Sequence, residues 1–287
     1  MYYQLAKPGV LYGNVLTALA GFLLACGYFE TFDLVLFAAT IAGMTLVIAS
    51  ACVLNNVFDR DIDKAMERTK NRGVASGQVD VKPATIFSAV LGILGIIILA
   101  LGVNWLVVGI GVAGFIVYVW LYGTLSKRRS IHGTAMGSIS GAAPILAGYV
   151  AVSGEIDTAA VLLFFALFFW QFPEFYSIAI YRKKEYAKAK IPVMTVIKGV
   201  SSTKIQIFIY TIAFVVTSLL LSVFGYVSWL YFAVMAASGL YWIRLGAQGL
   251  TTKNNEAWAK KMFRYSLAIL LIFSFMISVD NFIVQLF

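Results

Sequence analysis

Charged residues are scarce in this sequence of 287 residues. They make up 12% of it, whereas hydrophobic residues make up 61% and the mean hydropathy is +0.88. An ordinary soluble domain is about a quarter charged, so this composition excludes one. The alternation of polar and apolar positions that is typical of membrane β-barrels is also lacking. Since backbone that faces lipid must satisfy its own hydrogen bonds, the sequence predicts an all-α integral membrane protein.

Cysteine and histidine are almost absent. The two cysteines, Cys26 and Cys52, lie inside apolar runs and are predicted near opposite membrane faces, which excludes a disulfide and a C-x-x-C metal site. His132 is the only histidine, so two histidines cannot ligate a haem iron. Basic residues outnumber acidic ones, 22 against 13, but they flank apolar runs and form no basic domain. We therefore attribute the net charge of +9 to membrane topology and expect no nucleic-acid partner.

Long apolar runs recur along the whole chain, each close to the length of about 20 residues that crosses a hydrocarbon core. The first run is long enough to be an uncleaved helix and is not expected to be a signal peptide. Long loops after the second and sixth runs indicate two four-helix halves plus a ninth helix, in a single domain over 1–287. The nine predicted spans are 10–29, 34–56, 84–101, 105–123, 134–152, 160–181, 204–223, 227–246 and 264–284.

The lysines and arginines all fall on one side of the membrane that these spans define. All 22 lie before the first span, in the loops that follow the second, fourth, sixth and eighth spans, or within three residues of those loops. The intervening loops are short and hold none. The positive-inside rule therefore predicts a cytoplasmic N-terminus, cytoplasmic long loops and an external C-terminus. We expect the protein in the inner (plasma) membrane of a prokaryote.

The most polar stretch beside a span is 55–72. Asn55, Asp59 and Asp63 are spaced four apart, so on a continuing helix they lie on one face. Three oxygen ligands at the cytoplasmic end of a span suit Mg²⁺ that bridges to substrate phosphates, and Arg68 and Arg72 are spaced to contact phosphate oxygens. A solvated polar collar is the alternative. Because Asn55 precedes the first charge and should be embedded, we favour a diphosphate–metal site.

Other polar residues are candidates on weaker grounds. Lys127 and Arg128 lie in a short basic loop that is typical of topology determinants, but beside a diphosphate site they would add phosphate contacts. Glu185 is the candidate for a second acidic metal ligand, with Arg182 nearby as a substrate contact. Glu174 lies inside an apolar span and must be protonated, paired or exposed to a wet cavity. We interpret it as a cavity residue.

Two glycine patterns need separate interpretations. Gly133, Gly137 and Gly141 recur every four residues on the fifth span. Helix packing is the default explanation for them, and close approach of a flat or chain-like substrate is the alternative. The G-x-G-x-x-G match at 109–114 lies inside a span with no preceding strand, so it does not predict a nucleotide site.

The stretch 55–72 resembles the first aspartate-rich motif of the UbiA-type intramembrane prenyltransferases. Its matching residues are Asn55-Asn56-x-x-Asp59-x-x-x-Asp63 and Glu67-Arg68-Thr69-x-x-Arg72. The resemblance is closest to the branch of this family that farnesylates protohaem IX, and it extends over nearly the whole chain. It is carried further by Lys7-Pro8-Gly9, Gly13-Asn14, Lys127-Arg128, Gly133-Thr134, Gly137-Ser138, Gly141-Ala142-Ala143-Pro144, Trp170-Gln171-x-Pro173, Tyr186 and Ile191-Pro192-Val193.

This resemblance implies a nine-helix UbiA-like bundle that holds farnesyl diphosphate through Mg²⁺. The family attaches the farnesyl group to a vinyl group of protohaem IX (haem B), and water supplies a hydroxyl group to give haem O. Further implied partners are the lipid bilayer and, downstream, haem-copper oxidase assembly or haem A synthase. The implied metal ligands are Asn55, Asp59, Asp63 and Glu185, the implied diphosphate contacts are Arg68, Arg72, Lys127 and Arg128, and the implied cavity contact is Asn14.

The sequence departs from the family pattern at two positions. Glu185 replaces the usual aspartate of the second acidic position and preserves its charge. Glu174 replaces a histidine that usually follows the proline of the sixth span, which removes an imidazole that could orient haem.

Aromatic residues are expected to shield an allylic carbocation from water. The candidates are Tyr118, Tyr122, Phe168, Phe169 and Trp170. Three alternatives remain open at this point. One is a UbiA-type transferase with an aromatic or quinone-precursor acceptor. Another is a transporter, which predicts acidic groups near the middle of the membrane. The third is a non-catalytic relative that only binds haem.

Overall fold

A computed structural model provides the structure of the chain and describes residues 2–284. Met1 and residues 285–287, on which the predicted external C-terminus falls, lie outside the described residues. Throughout 2–284 the regular secondary structure is helical. The free thiols of Cys26 and Cys52 are both buried, which agrees with the absence of a disulfide between them.

Nine helices within residues 2–284 are long and apolar enough to cross a membrane, which confirms the predicted all-α, nine-span architecture. Short helices precede or connect them, at Tyr2–Leu5, Arg60–Ala65, Lys183–Lys188 and Met194–Ile197. The long helices are α1 (Pro8–Tyr28), α2 (Leu34–Phe58), α3 (Val81–Gly102), α4 (Trp105–Arg129), α5 (Gly133–Ser153), α6 (Thr158–Tyr181), α7 (Gly199–Val223), α8 (Trp229–Thr251) and α9 (Asn255–Val284).

The predicted helix boundaries are least accurate around the loop between α8 and α9. Hydropathy placed the end of the eighth span near 246 and the start of the ninth near 264, but α8 continues to Thr251 and α9 already begins at Asn255. The Asn254 side chain accepts a hydrogen bond from the Ala257 N–H, and Lys260 pairs with Glu256 one turn away. Polar turns that are capped and paired in this way remain helical beyond the apolar span.

The short loops without basic residues, which precede α2, α4, α6 and α8, each end at a polar residue that caps the next helix. In each, a side-chain oxygen accepts hydrogen bonds from backbone N–H groups in the first turn of the next helix, which would otherwise lack partners. This ends the loop within a few residues. The capping residues are Asp33 for α2, Asn104 for α4, Asp157 for α6 and Ser228 for α8.

The long helices form a ring in which each packs on the next and α9 returns to α1. Inside the ring, α1 packs extensively on α5, and α9 also packs on α6. The first helices of the two predicted halves therefore contact each other directly. We call the end of the bundle where α1 begins and α2 ends the motif end.

Two glycines set the close crossing of α1 and α5, away from the motif end. A Cβ added to Gly21 would overlap the Ile145 carbonyl oxygen, and a Cβ added to Gly148 would overlap the Ala18 carbonyl oxygen. Each glycine thus admits the backbone of the other helix, as small residues do in membrane helix pairs.

Candidate active site

The end of α2 places Asn55, Asp59 and Asp63 in a buried row. The helix ends at Phe58, but the Asp59 N–H still donates to the Asn55 carbonyl at 2.9 Å and the Asp63 N–H donates to the Asp59 carbonyl at 2.8 Å. The helical spacing therefore continues through the turn into the helix Arg60–Ala65. The three residues are 2%, 0% and 2% exposed. Such burial excludes a solvated collar at this helix end.

Each member of the row contacts one basic side chain, and the three basic side chains come from different segments. The pairs are Asn55 with Lys7, Asp59 with Lys127 and Asp63 with Arg72. The Arg72 Nη1 lies 3.0 and 2.9 Å from the two carboxylate oxygens of Asp63. Three cations against two carboxylates leave one excess positive charge, which favours binding of an anion.

The loop after the row folds back so that Arg72 reaches Asp63. The buried Thr69 hydroxyl donates to the Asp63 carbonyl at 3.1 Å, and the Arg72 N–H donates to the Thr69 carbonyl at 3.0 Å. These two hydrogen bonds hold the arginine above the carboxylate. Arg72 therefore forms an ion pair with Asp63, and its predicted contact with phosphate oxygens stays a prediction.

Lys7 is the main site residue that we did not single out from sequence spacing. It has a left-handed backbone conformation with φ of 51°, which is uncommon outside glycine and marks a constrained position. The Asn56 side chain donates to the Leu5 carbonyl at 2.6 Å and anchors the segment before it. Burial, together with the charges of Arg72 and Lys127, lowers the pKa of Lys7 to about 8. The only sequence signal for Lys7 was its place in the family resemblance.

Arg128 faces a different carboxylate from the one in the row. Its guanidinium donates to both oxygens of Asp61 at 2.7 Å and to the Phe58 carbonyl at 2.7 Å, so it links the end of α4 to the end of α2. The Arg128 hydrogen bonds lower the pKa of Asp61 to about 2. Sequence reasoning did not identify Asp61 as its partner.

A π-helix at Val117–Ser126 within α4 carries the aromatic candidates Tyr118 and Tyr122. Their rings stack with centroids 5.8 Å apart and planes 25° apart, and the Lys127 ammonium lies 6.0 Å from the Tyr122 ring centroid. The wide π turn thus puts two aromatic rings and the cation that binds Asp59 on adjacent turns. Segments of π-helix are rare and frequently occur at functional sites.

Protein side chains occupy the predicted glycine stripe on α5. A Cβ added to Gly137 would lie 3.4 Å from the Tyr122 ring, and one added to Gly141 would overlap the Gln171 side chain of α6. The Gln171 amide also donates to the Ser138 carbonyl at 3.1 Å. Of the two interpretations of this stripe, these contacts support packing within the protein.

Glu185 does not join Asp59 and Asp63 in the structure. Its Oε1 accepts a hydrogen bond from Arg182 at 2.8 Å, and its buried Oε2 has no hydrogen-bond partner. Within the described chain, no three histidine, cysteine, aspartate or glutamate side chains form a metal-ligand cluster. Its role as a metal ligand stays a prediction.

The segment that carries Glu185 nevertheless packs against the first motif. Ile62 and Met66, which flank Asp63 in sequence, form a buried cluster with Ile191, and Tyr186 packs against that cluster. Burial raises the pKa of the Tyr186 hydroxyl. The loop between α6 and α7 thus covers the segment that follows the row.

Three other predicted residues make no contact with the row. Asn14 is half-buried and donates to the Val10 carbonyl of its own helix at 2.8 Å. Arg68 is exposed, and within residues 2–284 no side-chain hydrogen bond or ion pair involves it. Glu174 is half-buried in α6 and likewise has no such partner among the described residues.

The row has the donor set that Mg²⁺ prefers. The Asp59 Oδ1 is buried and has no hydrogen-bond partner, although a buried polar atom without a partner costs about 1–3 kcal/mol. This atom, the Asp63 carboxylate and the Asn55 amide oxygen are hard oxygen donors on successive helical turns. The residues therefore fit a magnesium ion, which Asn55, Asp59 and Asp63 would hold.

The family model for the UbiA prenyltransferase family matches residues 14–268 of the chain. A protein named protoheme IX farnesyltransferase from Photorhabdus laumondii is 43% identical over 279 residues, which span 97% of this chain and 94% of that protein. A protein of the same name from Yersinia enterocolitica is 44% identical over the same shares of both chains.

Solved structures share the fold at low sequence identity. One study of digeranylgeranylglyceryl phosphate synthase in membranes contains a chain with a TM-score of 0.81 and 20% identity, covering 98% of this chain and 97% of that one. A UbiA homolog from Archaeoglobus fulgidus bound to GPP and Mg²⁺ has a TM-score of 0.70 and 13% identity, covering 96% and 99%. From the family match and the full-length relatives, the chain belongs to the UbiA prenyltransferase family.

Proposed function

We propose that this protein transfers a farnesyl group from farnesyl diphosphate to a vinyl group of haem B, with addition of water, to give haem O. The acceptor is supported by relatives named protoheme IX farnesyltransferase that are 43% and 44% identical over nearly the whole chain. The donor half is carried by one observation: the buried row of Asn55, Asp59 and Asp63, each paired with its own cation.

The three cations of the row bind the diphosphate. Lys7, Arg72 and Lys127 contact the oxygens of the row and turn toward phosphate oxygens when the diphosphate binds. Their excess positive charge attracts the anion and offsets its charge. When bound, Mg²⁺ supplies Lewis-acid polarisation of the leaving diphosphate.

Arg68 and Arg128 add further diphosphate contacts in this proposal. Arg68 is exposed and makes no ion pair within the described residues, so it is free to turn inward. Arg128 would have to leave Asp61 to do so. Glu185 is the second acidic ligand in this proposal, which is supported by its unpaired Oε2 and by the packing of its segment on Ile62 and Met66.

Charge moves from the allylic carbon to the diphosphate as the C–O bond breaks. Tyr122, whose ring already lies near the Lys127 ammonium, and Tyr118, stacked on it, present π faces that stabilise the allylic cation and exclude water. The terminal carbon of the haem vinyl group then attacks the farnesyl carbon. In this proposal Asn14 and Glu174 contact the acceptor, and Arg182 is a further substrate contact.

The proposed setting is the plasma membrane of a prokaryote, with the motif end and the N-terminus in the cytoplasm. The distribution of all 22 lysines and arginines supports this orientation. Haem O would pass to haem A synthase or to the assembly of a haem-copper oxidase.

The deciding experiment supplies purified protein with Mg²⁺, farnesyl diphosphate and haem B and identifies the product by mass. We expect haem O. A parallel reaction with 4-hydroxybenzoate tests the alternative acceptor class, and a prenylated benzoate without haem O would replace our proposal with an aromatic prenyltransferase. Movement of substrate across vesicles without any covalent product would indicate a transporter.

A further inference from the structure

We propose that Glu174 is the base that takes a proton from the water that ends the reaction. This inference rests on the proposed function, because it concerns the step in which the farnesylated haem gains its hydroxyl group. It assigns a chemical role to a carboxylate of α6 that no ion pair or cap explains.

Glu174 differs from the other carboxylates of the membrane-spanning helices. Asp280 accepts hydrogen bonds from the Ser228 backbone and hydroxyl, and Asp157 accepts from Tyr149 and caps α6. Glu174 is half-buried, and no hydrogen bond or ion pair joins it to any described residue. An ionisable group inside a membrane segment is costly and marks a functional position by default.

The neighbours of Glu174 on α6 show which way it points. Gln171 reaches α5 at the Ser138 carbonyl, and the Trp170 indole reaches α9 at the Ser266 carbonyl. At about 100° per residue, Glu174 projects between these two directions, about 60° from Gln171. It therefore faces the space between α5 and α9, which α1 closes on the other side because it packs on both.

The depth of Glu174 in the bundle matches the depth of the Tyr122 ring. On α5, Gly141 lies against Gln171 and Gly137 lies against Tyr122. The step from Gln171 to Glu174 covers about 4.5 Å toward the motif end, and the step from Gly141 to Gly137 covers about 6 Å in the same direction. Glu174 is therefore level with the Tyr122 ring.

The Tyr122 level is also the level of Asn55, the first residue of the row. A Cβ added to Gly123 would lie 3.4 Å from the Asn55 amide nitrogen. Glu174 and Asn55 thus lie on different helices at similar depth, with the tyrosines of α4 and the glycine face of α5 between them. This arrangement separates a donor side, at α2 and α4, from an acceptor side, at α6.

Ser177 supplies a second polar group for a water molecule beside Glu174. It lies three residues further along α6, is 0% exposed, and its hydroxyl has no hydrogen-bond partner. Residues three apart are neighbours on a helix surface. A water in a buried site needs at least two polar partners, and Glu174 and Ser177 together provide them.

The chemistry balances with this assignment. The C–O bond of farnesyl diphosphate breaks and its electron pair leaves on the diphosphate. The terminal vinyl carbon forms a bond to the farnesyl carbon, which leaves a carbocation on the carbon attached to the porphyrin ring. Water adds its oxygen to that carbon and gives one proton to the Glu174 carboxylate, which later releases it to solvent.

The test compares Glu174→Gln with the unchanged protein, supplied with Mg²⁺, farnesyl diphosphate and haem B, and measures diphosphate release and product mass separately. General-base catalysis contributes about 100-fold or more, so we expect haem O formation to fall about 100-fold. Diphosphate release should continue within about tenfold, because the donor site is intact. A product lighter than haem O by one water should accumulate, since loss of a proton from carbon would end the reaction.

Two further variants exclude a structural explanation. Glu174→His keeps a group that can accept a proton and should form haem O within about tenfold of the unchanged protein. Glu155→Gln, at an exposed carboxylate between α5 and α6, should leave both measurements unchanged.

Two results overturn the inference while leaving the proposed function in place. One is haem O formation at the normal rate by Glu174→Gln. The other is an equal loss of diphosphate release and of haem O that histidine does not restore. If the unchanged protein forms no haem product at all, the proposed function fails, and the inference fails with it.

Discussion

Replacing Asp59 by asparagine tests the charge balance of the row, because it removes one charge and leaves the side-chain shape unchanged. In the protein, three cations face two carboxylates, so the excess is one positive charge. In Asp59→Asn the excess rises to two. We therefore expect opposite effects on two measurements: turnover that depends on Mg²⁺ should be lost, and binding of inorganic diphosphate without metal should become tighter.

The size of the second effect follows from the burial of the row. Two unit charges 4 Å apart interact by about 4 kcal/mol at an effective dielectric constant of about 20. Lys127 and Arg72 are 19% and 26% exposed, so solvent screens part of this interaction. We expect a gain of about 1–2 kcal/mol, which corresponds to binding about 5- to 30-fold tighter.

Isothermal titration with inorganic diphosphate in a chelating buffer measures this gain, and farnesyl transfer in Mg²⁺ measures the loss. Asp80→Asn is the matched control, because it removes an exposed carboxylate from the loop after the row and should change neither value. Weaker metal-free binding by Asp59→Asn would refute the role of the row as a cation-rich anion site. Undiminished farnesyl transfer would refute its role as the metal site.

Three further predictions concern the support of the site. Asn56→Leu removes the hydrogen bond that anchors the segment before Lys7, so it should raise the KM for farnesyl diphosphate about fivefold with kcat nearly unchanged, as measured by steady-state kinetics. In Gly148→Ala the added methyl group would overlap the backbone of α1, so the free energy of unfolding should fall by about 2 kcal/mol or more. In the control Gly109→Ala, the added methyl group meets no atom within 4 Å, so the free energy of unfolding should not fall. Thermal unfolding in detergent compares the two variants. Arg128→Gln breaks a partly exposed ion pair and should cost about 1 kcal/mol of stability at most, so a large drop in unfolding temperature would contradict the exposed geometry.

The helices could be predicted because hydropathy and charge are local properties of the sequence. Runs of apolar residues and the parity of lysine and arginine were sufficient for nine spans, and the structure confirms all nine within the described residues. The start of α9 at Asn255 was missed because the capped and paired turns before Lys260 are polar. Hydropathy reports where a helix enters lipid, and it does not report where the helix begins.

The row could be predicted from the sequence for the same reason, since Asn55, Asp59 and Asp63 follow one another at helical spacing. The basic residues that contact the row could not be predicted in the same way. Lys7 and Lys127 are 48 and 68 residues away from their partners in sequence, so only the tertiary fold brings them together. The family resemblance supplied Lys127 as a diphosphate contact, and spacing supplied Arg72, but neither identified which carboxylate each cation would contact.

The π-helix of α4 has no signal in the sequence. Its residues fit an ordinary apolar helix, and the wider turn arises where α4 packs against α2 and α5. The consequence for the site is large, because the wider turn changes the direction of Tyr118 and Tyr122 relative to the start of α4 at Trp105. A straight α-helix drawn from the sequence would misplace both tyrosines.

One face of α5 packs against another helix at one level and against side chains near the candidate site at another. Gly148 and Gly141 are seven residues apart and therefore lie on the same face, yet the first admits the backbone of α1 and the second admits the side chain of Gln171. Between these two levels, the contact on this face changes from a helix backbone to side chains, and by Gly137 it is the ring of Tyr122. Toward the motif end this face of α5 thus meets the side chains of Gln171 and Tyr122. The face of α5 that packs against the α1 backbone at Gly148 thus leaves room, at Gly141 and Gly137, for a polar and an aromatic side chain.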